Sequence, residues 1–127
     1  MANAFKSSSK TGLGTTITSL YTCGISGSET KKTTVLLGIT LSNTTAATIK
    51  ASVFLDRPTG VGTTNEPKDD VFVVKDAIIP AGSSLEVMSG NRIVLQYYTS
   101  VTAGDILRAY SDTATSLDVI VSYLEIT

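Results

Sequence analysis

The sequence predicts an all-β fold: a single antiparallel two-sheet β-sandwich of about eight strands, with the jelly roll as one form open to it, and an extended N-terminal arm. Three observations predict it. Apolar residues recur at every second position in segment after segment, the mark of strands with one buried face. Turn signals separate these segments at roughly the 8–12-residue spacing of sandwiches and barrels. No ten-residue stretch keeps a helical period, so no helix is expected.

The 127 residues suit one domain. It divides into an arm, residues 1–14, and a sandwich, residues 15–127. The arm is polar and Gly/Ser-rich, with Phe5 and Leu13 as its large apolar residues, and cannot order itself alone. It is either a loose tail or a segment that docks on a neighbouring subunit, with Phe5, Lys6 and Leu13 as the contact residues.

After Gly14 the period of two begins. Ile17, Ser19, Tyr21 and Cys23 share one face, and Thr18, Leu20 and Thr22 the other. A polar loop follows, Gly24 to Thr30. Val35, Leu37, Ile39 and Leu41 then alternate with Leu36, Gly38, Thr40 and Ser42, which places Leu37 inward, where Leu37→Ala would cost about 2–5 kcal/mol. Asn43-Thr44-Thr45 turns the chain into a strand with Ile49, Ala51, Val53 and Leu55 inward. Lys50, Ser52 and Asp56 point out, and Phe54 needs a cover on that side. Arg57 to Asp70 holds two prolines and two glycines and reads as an exposed loop. Val71 to Ile79 is apolar enough for a central strand and is stopped by Pro80-Ala81-Gly82. Leu85 to Met88 is a short strand. Turns at Ser89-Gly90-Asn91 and Thr102-Ala103-Gly104-Asp105 delimit strands over Arg92 to Tyr98 and Ile106 to Tyr110. The last strand, Leu117 to about Ile126, sets Leu117, Val119 and Val121 against Asp118 and Ser122.

Composition narrows function. Charged residues are 17% of the chain, below the usual level of about 25%. Polarity comes instead from 20 Thr and 15 Ser. Such a hydroxyl-rich surface suits a protein packed into an assembly. A net charge of −1 gives no general attraction to nucleic acid or anionic membrane. The basic spots, Lys31-Lys32 and Lys6 with Lys10, read as solvated edges. No apolar run approaches a membrane span, and Met1 to Lys10 has no signal-peptide core. Neither nucleic acid nor membrane is an expected partner, and export by the usual route is not expected.

The chain has no histidine and one cysteine. That removes the usual general base, the Ser–His and Cys–His nucleophiles and the commonest transition-metal ligand. Cys23 reads as a buried small hydrophobe. Asp69-Asp70 lacks the ligand spacing of a calcium loop, and no phosphate-cradling glycine motif is present. Asn43-Thr44-Thr45 matches a glycosylation acceptor but reads as a turn. Tyr97-Tyr98 places one ring on each face of its strand, as core plus rim rather than a sugar or base platform. The chain is expected to be no enzyme, with no catalytic residue, no metal and no cofactor.

Several stretches together resemble small virion structural proteins of tailed bacteriophages, especially marine and cyanobacterial ones. They are the opening Met-Ala-Asn-Ala-Phe-Lys, Tyr21-Thr22-Cys23, the strand VLLGITLSN from Val35 to Asn43, the segment from Val74 to Leu85, and the ending from Leu117 to Glu125. The resemblance implies a non-enzymatic virion component, assembled in the host bacterial cytoplasm, and a docking role for the arm. A capsid decoration or cement subunit comes first among its forms, with a neck, collar or tail component beside it. The implied partners are further copies, with a trimer suited to capsid three-fold points, and the major capsid protein or neck and tail proteins. A receptor- or glycan-binding module is the reading from a different class.

Overall fold

The computed structural model describes residues 3–24, 33–58, 69–88, 90–98 and 103–126. Lys31-Lys32, most of the loop from Arg57 to Asp70, and parts of the loop after Gly24 and of the turns at Ser89 and Thr102 lie outside the described residues. Ten strands are described: β1 (Asn3–Leu13), β2 (Thr18–Thr22), β3 (Thr33–Asn43), β4 (Ile49–Asp56), β5 (Val71–Ile79), β6 (Ser84–Glu86), β7 (Ile93–Tyr98), β8 (Ala103–Gly104), β9 (Ile106–Ser111) and β10 (Leu117–Ile126). The two beyond the expected eight are β1, eleven residues within the stretch read as an arm, and β8, which has two. β6 and β7 lie along successive stretches of β3, and β8 is a two-residue hook before β9.

All ladders are antiparallel, and they nest. β1 pairs β10, β2 pairs β9, β3 pairs β6 and β7, and β4 pairs β5. The chain is therefore one long ribbon doubled back between β4 and β5. The ribbon then rolls up, and two further ladders, β10 on β3 and β4 on β9, close it into two sheets. The larger has the order β1-β10-β3-β7-β8, with β6 also on β3, and the smaller β2-β9-β4-β5. That is the jelly-roll order. Residues 3–13, within the stretch read as an arm, are the outermost strand of the larger sheet.

The core between the sheets is built from Leu20, Leu36, Ile39, Leu41, Ile49, Val53, Leu55, Ile79, Leu95, Leu107, Leu117 and Val121, with Cys23 fully buried and in no disulfide. Two inward faces differ from the simple alternation. In β3, Ser122 faces Gly38 but Tyr123 faces Leu36, so Leu37 is an extra, unpaired residue. Thr34 and Leu36 point inward before this bulge, and Ile39, Leu41 and Asn43 after it; Leu37 is only half-buried. In β2 the register slips at Leu20, which puts Leu20 and Cys23 inside and leaves Ile17 exposed. A bulge inverts the parity of everything beyond it, and an apolar run such as Val35-Leu36-Leu37 conceals where it falls.

β4 alternates as expected, except that Ser52 is buried, where its Oγ accepts the Asp76 N–H at 2.9 Å. Phe54 is covered by its own chain, from Phe72 of β5 at 5.4 Å and Tyr110 of β9 at 6.4 Å between ring centroids. β5 is not central but an edge strand. Its apolar residues do not all go inside: Val71, Phe72 and Ile78 are exposed. Gly82 (φ 67°) sits in the stop after β5, in a turn closed by the Ser83 N–H on the Pro80 carbonyl at 3.1 Å.

Candidate assembly surface

The described ionisable side chains that are buried belong to two clusters, one on each side of Cys23. At one, Asp105 is wholly buried. Its carboxylate accepts from Arg57 Nε at 3.2 Å and Nη2 at 3.1 Å, from Tyr98 Oη at 3.0 Å and from the Gln96 N–H at 3.0 Å. Arg57 follows β4 in the smaller sheet and Tyr98 ends β7 in the larger, so the cluster bolts the sheets together at one end. Burial disfavours the Arg57 charge, but the bonds to Asp105 and Tyr98 outweigh it and raise the guanidinium above its ordinary value. Beside it, Gly104 lets the Cys23 carbonyl pass through the space that a Cβ would fill.

At the other cluster, Tyr21 Oη donates to Glu125 Oε2 at 2.6 Å and lies 2.8 Å from Thr34 Oγ1, while Lys6 Nζ reaches Glu125 Oε1 at 2.8 Å. The Tyr21 and Tyr123 rings pack at 4.4 Å. Burial, then the bond to Glu125, pushes the Tyr21 phenol well above its ordinary value. Both clusters are closed. Among the described residues no buried side-chain nitrogen or oxygen lacks a partner, and no three potential metal ligands converge. Partnered clusters of this kind hold elements in place.

The turn and loop candidates are absorbed in the same way. Asn43 donates its amide to the carbonyls of Ala47 and Ile79 and accepts from Thr45, so it builds the turn after β3. Asp70 accepts the Arg57 N–H. The three arm residues diverge. Leu13 enters the core of its own chain, Lys6 turns to Glu125, and Phe5 stands 77% exposed.

Phe5 marks a surface. It faces Leu124, Leu124 faces Val35, and Val35 faces Val94, so one apolar row crosses four strands on the outer side of the larger sheet. Directly opposed residues share a face, and Leu36 and Leu95, next in sequence to Val35 and Val94, point into the core. Ser7, Ser122 and Gly38 form the next row, and Ser9, Ile120, Thr40 and Glu86 the one beyond. Phe5, Val94 and Ile120 are all exposed. The outer side of the smaller sheet differs. There Phe72, Phe54, Arg108 and Ser19 are in line, with Arg108 paired to Asp56 at 2.9 Å and Lys75 Nζ 5.2 Å from the Phe72 ring centre. Sequence reasoning missed Ile120, Leu124 and Val94, although apolar residues on both parities of LDVIVSYLEI are a signal that both faces of that strand meet something.

No protein-family model matches the sequence, and no curated protein matches it. Among solved structures, the chain is similar to one in the crystal structure of the T13 IBDV viral particle, at 9% sequence identity and a TM-score of 0.52. The match covers 97% of this chain but 30% of that one. The likeness is one of fold, along nearly the whole of this chain and less than a third of its neighbour.

Proposed function

We propose that this chain is a non-enzymatic structural subunit of a virion, and first among such roles a decoration or cement protein on the capsid surface. The observation that carries the proposal is the jelly-roll order of the sheets, an architecture recurrent in viral capsid proteins, together with the match of nearly the whole chain to a chain of a viral particle. The rest of the molecule agrees with it. Its described buried polar side chains are partnered internally, and the outer face of its larger sheet is mostly hydroxyl and apolar side chains. Such a face binds by burying area, and about 800 Å² on each partner makes a standard interface. Repetition over a particle then adds weak contacts into firm attachment. Jelly rolls also occur in lectins, but of the Tyr97-Tyr98 pair the Tyr98 hydroxyl is held by Arg57 and Asp105.

A neck, collar or tail component would use the same physics in fewer copies. Light scattering at several concentrations, followed by counting copies per particle, tests the proposal. Hundreds of copies place the chain on the capsid, and a few to tens place it in the neck or tail. Absence from purified particles would overturn both.

A further inference from the structure

Before Leu13, β1 is attached to its own chain mainly through its backbone. From Asn3 to Gly12 no side chain is buried. The strand is held by its ladder to β10, by Ser8 Oγ donating to the Leu20 carbonyl at 3.1 Å, and by the Lys6–Glu125 ion pair. Its pairing with β10 runs unbroken from Asn3 to Lys10, and its other long side has no strand partner among the described residues.

An unpaired straight edge is a template for another strand, and proteins usually spoil such edges. Among the described residues, the other edge strands are bulged or short, β6 among them with three residues. β5 is bulged at Val73 and again at Lys75-Asp76, where Asp76 takes a φ of 52°. β2 has five residues and a bulge at Leu20. β8 has two residues. β1 has no proline and no bulge before Lys10.

We propose that β1 pairs antiparallel with β1 of a second copy across a two-fold axis perpendicular to the sheet, joining two larger sheets into one. The proposal rests on the reading of the chain as an assembly subunit and names its partner. The lysines select the register, because like charges directly opposite each other are destabilising. An axis at Lys6 or Lys10 sets a lysine against itself, and an axis at Ser8 sets Lys6 against Lys10. An axis at Ser9 pairs mainly across the Gly12 end, where φ is 65° and the ladder breaks. An axis at Ser7 avoids all of these and uses the strand from Asn3 to Thr11. It sets Lys6 against Ser8, Lys10 against Ala4, and Phe5 against Ser9. Ser9 is the cross-strand neighbour of Ile120. The seam thus brings Phe5 of each copy over a serine toward Ile120 of the other, and accounts for two exposed apolar side chains at once.

The test is Ser7→Cys, with Ser9→Cys as control. On the axis, residue 7 meets its own copy at a Cα separation of about 4.5–5.5 Å, inside the roughly 4.4–6.8 Å span of a disulfide. Cys23 is buried and does not compete. Both serines are exposed, and circular dichroism checks that each variant is folded. The expected result is a dimer of twice 13.3 kDa in solution, cross-linked by mild oxidation at residue 7 and not at residue 9. A discrete oligomer that does not cross-link at residue 7 overturns the strand pairing and leaves the virion role standing. A chain that stays monomeric and uncross-linked up to millimolar concentration also overturns the pairing, and particle incorporation then tests the role separately.

Discussion

Asp105 has the most consequential environment of any single residue here. Its wholly buried carboxylate answers Arg57, Tyr98 and a backbone N–H. Asp105→Ala strands a guanidinium whose side chain is only 16% exposed, and a broken buried pair costs about 3–5 kcal/mol. Urea unfolding should show a loss in that range. The buried phenols give a pH dependence. Tyr21, Tyr98 and Tyr123 are all raised above their ordinary value of 10.0, each by burial first. The unfolded chain releases those protons near pH 10 while the folded chain holds them. Their contribution is therefore complete below about pH 10 and falls away as pH rises above it. The urea midpoint should drop above pH 10, and less steeply in Tyr21→Phe. The bulge in β3 makes a sharper residue-level test. Leu36→Ala should cost about 2–5 kcal/mol and Leu37→Ala clearly less, because Leu36 is wholly buried and Leu37 is not. Cys23 was legible as a buried thiol from its strand-forming neighbours. The Arg57–Asp105 pair was not, because its members are 48 residues apart and no local pattern couples them.

Among the elements, alternation located nearly every strand but not β1, and it misjudged the place of β5. β5 has the apolar content of a central strand and lies at an edge; hydrophobicity reports how much a strand could bury, not what is beside it. β1 is polar enough to pass for a tail, yet it is a strand, because a backbone ladder asks nothing of side chains. β8 shows how an element can be defined by an absence. Gly104→Ala would drive a methyl into the Cys23 carbonyl. Backbone must move to admit it, at a cost of about 1–3 kcal/mol. Thermal melts should show the loss, and Gly90→Ala, with open space around its Cα, separates strain at a positive φ from this clash.

For the molecule as a whole, the nested ribbon makes the first and last strands neighbours. Deleting Met1 to Lys10 should still leave a folded sandwich, since Leu13 and the rest of the core remain. It should abolish oligomer formation and incorporation into particles. Cooperative unfolding of the truncated chain, with its mass and its presence in particles, checks both halves; unchanged incorporation would count against any assembly role for β1. The sequence by itself determined that this chain is all-β, where most strands begin and end, and that its chemistry is poor in catalytic groups, because residue type and a two-residue period are local properties. Tertiary structure alone decided which strand lies beside which, where a bulge inverts inside and outside, and which apolar residues stay on the surface as a row. Those depend on pairings between distant residues, and a period of two carries no record of the partner.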